Sequence, residues 1–298
     1  MTSQIILNGL IAGLLYSLVA LGFSLIYSAT RIFHVAHGAI YTAAAYFFLA
    51  GTLILSPIHV AAGLTFPLVI AFTLASTSIF AAVSEVLVYR PLESRGASAL
   101  VTFISSLGIY IVSVNLIAIL FGNETKLLNP NNEIARTIGP VVVTRVQLIQ
   151  IGVSVLAVLA VLFVIKATSL GRNIRALSDS PTLISVLGAD PDKIRMLVFI
   201  VGSLLAASSA LLKGLDVGVQ PNVGLPIVLT ATVAVIIGGV GSHVGAVLSA
   251  LILGVTQNLV AGFFSAEWKD AVIFVLFIAV LVFRREGLLA TQLRLEER

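Results

Sequence analysis

Uninterrupted apolar runs constrain this chain more than any other feature. Ile5 to Tyr27 holds no charged residue, and comparable runs recur at 38–55, 60–89, 97–121, 146–165 and 196–212. About 20 apolar residues cross the hydrocarbon core as a helix. In lipid the backbone must satisfy its own polar groups, so these runs predict an all-α polytopic membrane protein. Only 10% of residues are charged, against about 25% in soluble domains, which leaves little to coat a water-facing surface. The first run lacks a basic n-region and a small-residue cleavage site, so it is expected to remain as a span.

Beyond residue 212 the pattern changes. Leu225 to Ile237 is apolar but short, Gly238-Gly239-Val240-Gly241-Ser242-His243-Val244-Gly245 follows, and Val247 to Phe264 is apolar again. This predicts two elements joined by a glycine-rich turn at or within the membrane. Irregular backbone is tolerated there only against protein or water. Ala271 to Phe283 reads as the last span, giving eight or nine in all. The whole chain, 1–298, is then one transmembrane domain. It carries an aqueous loop at 122–145 and a charged loop at 167–195. Small residues at steps of four, Gly9 with Gly13 and Gly202-Ala206-Ala210-Gly214, mark faces suited to close helix packing.

Charge sets the orientation. On one side fall Arg31, Arg90, Arg95, Lys166, Arg172, Arg175, Lys193, Arg195, Arg284, Arg285, Arg294 and Arg298; on the other, Lys126, Arg136, Arg145, Lys213 and Lys269. Twelve against five makes the first side cytoplasmic, the N-terminus external and the C-terminus internal. The pI near 9.6 follows from this topology, since the basic residues form no stripe with aromatics that would suit a nucleic acid.

Several chemistries are excluded or weakened. With no cysteine there is no disulfide, thiolate nucleophile or thiolate metal ligand. No G-x-x-x-x-G-K-[ST] occurs, so the chain binds no ATP through a P-loop. His34 and His37, three apart, could share a helix face, yet no H-E-x-x-H or nearby carboxylate completes a metal set. No G-x-S-x-G elbow is present, so a membrane hydrolase has no nucleophile. Glu85, near the inner end of its run, must find a cation; Arg90, five residues on, is the expected partner, or another basic residue. Lys213 and Asp216 are expected to snorkel to the outer interface. The loop 166–195 reads either as a solvated connection or as a docking element, with a short helix at Asn173–Ser178.

Four ordered stretches carry a family resemblance. They are Ala36-His37-Gly38; Glu85 before Tyr89-Arg90-Pro91-Leu92; Gly171-Arg172-x-x-Arg175-Ala176-x-x-Asp179 with Leu187-Gly188; and Gly238-Gly239-x-Gly241-Ser242-x-x-Gly245-Ala246 before Glu267-Trp268-x-Asp270. The set resembles the permease subunits of branched-chain amino acid ABC importers, the LivH type, whose relatives also carry urea and short amides. The resemblance implies a second homologous permease, two ATPases holding ATP and Mg, and a soluble substrate-binding protein, in a bacterial inner membrane. It implies no cofactor in this chain, no enzyme activity and no nucleic acid. Ser169, Gly171, Arg172, Arg175, Ala176, Asp179, Leu187 and Gly188 would couple to the ATPases. His34, His37, Gly38, Gly238, Gly239 and Gly241 would line or gate the path. The family's box begins with Asn and is followed by an acid, where this chain has His34 and Ala39. The cargo is therefore expected to be a small polar solute, amino acids first and urea or amides next. The competing reading is a stand-alone secondary transporter, which would show inverted repeats and charged ion sites.

Overall fold

The computed structural model describes residues 1–55, 64–128, 135–179, 184, 188–284 and 287–289. Its helices are α1 (Thr2–Thr30), α2 (His37–Leu55), α3 (Thr65–Ser94), α4 (Ala99–Phe121), α5 (Arg145–Ala167), α6 (Ser169–Asp179), α7 (Pro191–Val217), α8 (Gly224–Gly238), α9 (His243–Phe263) and α10 (Trp268–Phe283). Eight of the segments are long and apolar enough to cross a membrane; the final expected span, α10, has 16 residues. A short hairpin, β1 (Arg136–Ile138) with β2 (Val141–Val143), lies within the stretch read as an aqueous loop.

Helix α1 is the axis. Its glycines let other backbones approach: a Cβ on Gly9 would stand 2.7 Å from Val255 Cα, and one on Gly13 2.8 Å from Leu251 Cα. Helix α9 thus runs antiparallel along α1, and Ser24 Oγ meets His243 Nδ1 at 2.8 Å where α9 begins. Helix α7 flanks the same axis. Gly22 and Gly202 each lie against the other's carbonyl, and Ser209 Oγ donates to Leu15 O at 2.9 Å. The two large buried clusters both include α1 residues, among them Val19, Ala20 and Phe23 in one and Leu18, Leu21 and Ile26 in the other.

The turn after α1 does not stay at the helix end. Arg31 closes α1 with φ 57° and donates to Ser178 O at 3.2 Å, but Val35, Ala36 and His37 are buried. His37 Nε2 comes within 3.2 Å of the Cβ position of Gly22, eight residues before the end of α1. At 1.5 Å per residue this is about 12 Å inward. Apolar Phe33, Val35 and Ala36 allow that descent; only the guanidinium needs the outer position. A matching descent precedes α8, where Gly224 meets Gly38 backbone to backbone, each against the other's carbonyl. With α1 antiparallel to α7, the Gly22–Gly202 and Gly38–Gly224 crossings join the pair α1–α2 to the pair α7–α8.

The loops of one end tie together through backbone pairs. Lys126 and Val219 exchange two N–H···O bonds of 2.9 Å, and Gln4 bonds Val142 through both amide atoms, at 3.0 and 2.7 Å. Thr144 begins α5 with a capping box, its hydroxyl accepting from Gln147 N–H and the Gln147 side chain accepting from Thr144 N–H. Such a cap stabilises by about 1 kcal/mol. Helices α4 and α5 bury one stripe each, Ser106-Tyr110-Val114-Ile117 and Val146-Gln150-Ser154-Val158 with Ile165, and leave the rest partly or fully exposed.

Candidate functional site

At the end of the bundle opposite β1–β2, α6 lies against the foot of α5. Gly171, Ile174 and Leu177 face inward, while Ser169, Arg172 and Asp179 are exposed on the other side. That three-and-four spacing is an amphipathic helix laid on the bundle. Gly171 sits directly on the Ile165 carbonyl, so no side chain fits. Arg175 donates to that same carbonyl, capping a group that α5 leaves unpaired at its end. Ala176 is half-buried beside them, Gly188 turns the chain with φ 80°, and Leu187 lies outside the described residues. The helix is longer than expected, beginning at Ser169 rather than Asn173.

The return into α7 is anchored by charge. Asp190 caps the helix, its carboxylate accepting from Asp192 and Lys193 N–H. Desolvation pushes this carboxyl upward, but the Lys193 N–H and ammonium outweigh it and hold it below the usual range. The expected Glu85–Arg90 pair is not what forms. Arg195 Nε lies 2.6 Å from Glu85 Oε1, and its Nη1 pairs with Glu93; Arg90 pairs instead with Asp192. The reason is in the helix: Glu85–Tyr89 is a π turn, which turns Glu85 and Tyr89 inward and leaves Arg90 exposed. Arg195 and Glu85 are both under a tenth exposed, so each needs the other.

One residue along, Tyr89 reaches the box. Its hydroxyl lies 2.8 Å from His34 Nδ1, and the His34 ring packs against Phe199, Tyr89 and His37, with centroids at 5.2, 5.3 and 5.7 Å. His34 precedes α2 and His37 opens it, so the two do not share a helix face as their spacing suggested. Ala36 N–H donates to Ser106 Oγ of α4 at 2.9 Å, and Gly38 crosses Gly224. The path residues thus fall into two groups. His34, His37 and Gly38 are packed deep against α7 and α8; Gly238, Gly239 and Gly241 form the turn between α8 and α9.

That turn is closely packed. Gly238 and Gly245 touch backbone to backbone, and Gly239 and Gly241 adopt φ 99° and 91°, a region closed to most side chains. Ser242 caps α9 by accepting from Gly245 N–H at 3.1 Å. Leu288 and Leu289 N–H donate to the carbonyls of Ile237 and Gly238 at 2.8 and 3.1 Å, so the chain after α10 covers the turn. Among the described residues no three His, Cys, Asp or Glu side chains gather as metal ligands.

A family model described as "Branched-chain amino acid transport system / permease component" matches residues 5–281. The chain belongs to this family. As a family permease it is similar to the high-affinity branched-chain amino acid transport system permease protein BraD of Pseudomonas aeruginosa. The two are 32% identical over 293 residues, covering 96% of this chain and 95% of BraD. The corresponding protein LivH of Escherichia coli K12 is 30% identical over 299 residues, covering 96% and 94%. A partial likeness reaches the autoinducer 2 import system permease protein LsrC of Photorhabdus luminescens, 29% identical over 134 residues, 42% of this chain and 40% of LsrC. No solved structure matches the chain. The permease is thus a multi-pass membrane protein of a transport system.

Sequence reasoning missed Arg195, Glu93, Asp192 and Tyr89 as members of the site. Glu85, Tyr89 and Glu93 follow one another at steps of four, a visible signal. The cation of the two glutamates, Arg195, arrives from more than 100 residues away and had no such signal.

Proposed function

We propose that this permease forms the translocation path of a bacterial inner-membrane ABC importer for branched-chain amino acids. The supporting observation is likeness along nearly the whole chain to permeases named for that cargo. In this reading the chain catalyses nothing and holds no cofactor. Two partner ATPases carry ATP and Mg, a second permease completes the pore, and a soluble protein delivers the solute. The N-terminus is external and the C-terminus cytoplasmic.

The exposed face of α6 is then the surface an ATPase grips. Movement of α6 has a short route inward: α6 leads to α7, Arg195 ties α7 to the π turn of α3, and Tyr89 of that turn holds His34. Such a chain of contacts could move the box at His34–Gly38 with the ATPase cycle.

Ala39 favours a second cargo class. It is buried in an apolar cluster with Val35, Tyr110 and Val114, where the family's usual acid would be costly. A path without that carboxylate suits urea or a short amide.

Reconstitution tests both. ATP-driven uptake of L-leucine by the co-purified complex, with weak competition by urea and acetamide, is the expected result. Preferred uptake of an amide would replace the cargo. Uptake by this chain alone, driven by an ion gradient without ATP, would overturn the importer reading. Replacing Arg172 and Arg175 together by Glu should release the ATPases in a pull-down while the chain still inserts. Unchanged recovery of the ATPases would remove α6 from the joint.

A further inference from the structure

Among the described residues Arg31 alone, glycines aside, has a positive φ, 57°. It closes α1 at a position that glycine usually fills, because a Cβ there crowds the neighbouring carbonyl. Glycine would make this turn at lower cost, so the turn does not account for an arginine. The side chain does. Its Nη2 donates to Ser178 O at 3.2 Å. Ser178 lies in the last turn of α6, where a helix leaves its carbonyls without intrahelical donors and its dipole favours a cation. Arg31 thus caps the end of α6 from another helix.

Apolar packing makes the same joint. Ile32 shares one buried cluster with Ile174 and Leu177, the inward face of α6. Beyond it, the stretch to Gly38 is braced within itself. Thr30 Oγ1 donates to Ile26 O at 2.7 Å and accepts from Ile32 N–H at 3.2 Å. Val35 N–H donates to Phe33 O, His37 N–H to His34 O and Gly38 N–H to Val35 O, at 3.0, 3.1 and 3.0 Å. Ile32, His34, Val35, Ala36 and His37 are each under a tenth exposed. A close-packed stretch with its own hydrogen bonds transmits a push rather than absorbing it. Its far end, Gly38, crosses Gly224 at the start of α8.

We propose that Arg31 is a positioning residue for transport: it carries displacement of α6 into residues 32–38 and on to α8. The inference rests on the reading of α6 as the surface an ATPase grips. The route through Arg195 reaches His34 sideways, from α3. This one enters along the chain itself, and one side-chain contact at its exposed end controls it. An arginine in left-handed backbone is the cost of placing that contact at the mouth of the box.

The test uses the complex with its ATPases in proteoliposomes and the chain alone in nanodiscs. Arg31→Gly keeps the turn and relieves its backbone while removing the contact. It should melt close to the wild type and keep its ATPases in a pull-down, yet import at least about fivefold less L-leucine per ATP hydrolysed. Since the chain has no cysteine, the contact can be put back covalently. With Arg31→Cys and Ser178→Cys together, a short bis-methanethiosulfonate linker should restore most of the uptake per ATP, and its reduction should abolish it again. Undiminished uptake per ATP in Arg31→Gly, a loss matched by a fall in melting temperature, or a linked pair that stays uncoupled overturns the proposal. In the chain alone, Arg175→Ala frees α6 from the Ile165 carbonyl and should speed amide exchange at residues 34–38. That gain should shrink at least about threefold when Arg31→Gly is added. Equal gains with and without Arg31 overturn the proposal too, and this measurement needs neither cargo nor ATPase. Absence of ATP-driven uptake in the wild type, with the exchange result as expected, counts against the importer reading alone.

Discussion

Arg195 holds the most consequential side-chain contact in the molecule. It joins α7 to both carboxylates of α3, and removing it leaves Glu85 buried with no cation. Breaking a buried pair from one side typically costs about 3–5 kcal/mol. Arg195→Met should therefore lower the melting temperature of the solubilised chain sharply. The double change Arg195→Met with Glu85→Met should recover much of the loss, because removing both charges is often neutral or better. A double variant as unstable as the single one would show that Arg195 acts through packing. Glu85 was legible as a residue in need of a cation, but its neighbour Arg90 was the wrong choice. A sequence shows i to i+5 neighbours and hides a π turn, which alone rotates Arg90 out of reach and brings Tyr89 in.

At the scale of elements, the α8–α9 turn carries the strongest constraint. Gly239 and Gly241 need left-handed backbone, and Gly238 and Gly245 need the absence of a side chain. Gly239→Leu should abolish uptake in the reconstituted complex while membrane insertion persists; wild-type uptake would reduce the glycine to a spacer. That these glycines formed a turn was readable from their clustering. The descent of residues 31–36 into the bundle was not. A short apolar stretch after an arginine looks the same whether it skirts the surface or dives, and only the tertiary contact of His37 with α1 decides. Helices α4 and α5 present a related limit. They are apolar over most of their surface, so only a few polar residues, Ser106 on α4 and Gln150 with Ser154 on α5, faintly mark the buried stripes, since lipid and protein interior favour similar side chains.

For the whole molecule, the orientation proposed from the charge count is directly measurable, because the chain has no cysteine. Single cysteines at exposed Glu124 and Asp179 report the two ends. A membrane-impermeant maleimide added to intact spheroplasts should label Glu124→Cys and spare Asp179→Cys until the membrane is broken. The reverse pattern would invert the topology and place α6 where no ATPase could reach it. The number of spans and the position of the charged loop between α5 and α7 were legible because both rest on length and charge. The crossings of Gly22 with Gly202 and of Gly38 with Gly224 were not, because they join segments with no evident sequence repeat.

The glycine face of α1 has a consequence for biosynthesis. Gly9, Gly13 and Gly22 are made first, yet the backbones they receive, around Gly202, Leu251 and Val255, are made last. At about 5–20 residues per second, α1 waits roughly ten to fifty seconds in the bilayer before α9 is complete. Until α9 emerges, the Gly9–Gly13 part of its grooved surface is covered only by lipid or by an insertion factor, while α7 can already close over Gly22. Assembly must therefore close around the first helix rather than grow outward from it, and a chain truncated before α9 would leave the Gly9–Gly13 groove of its axis uncovered.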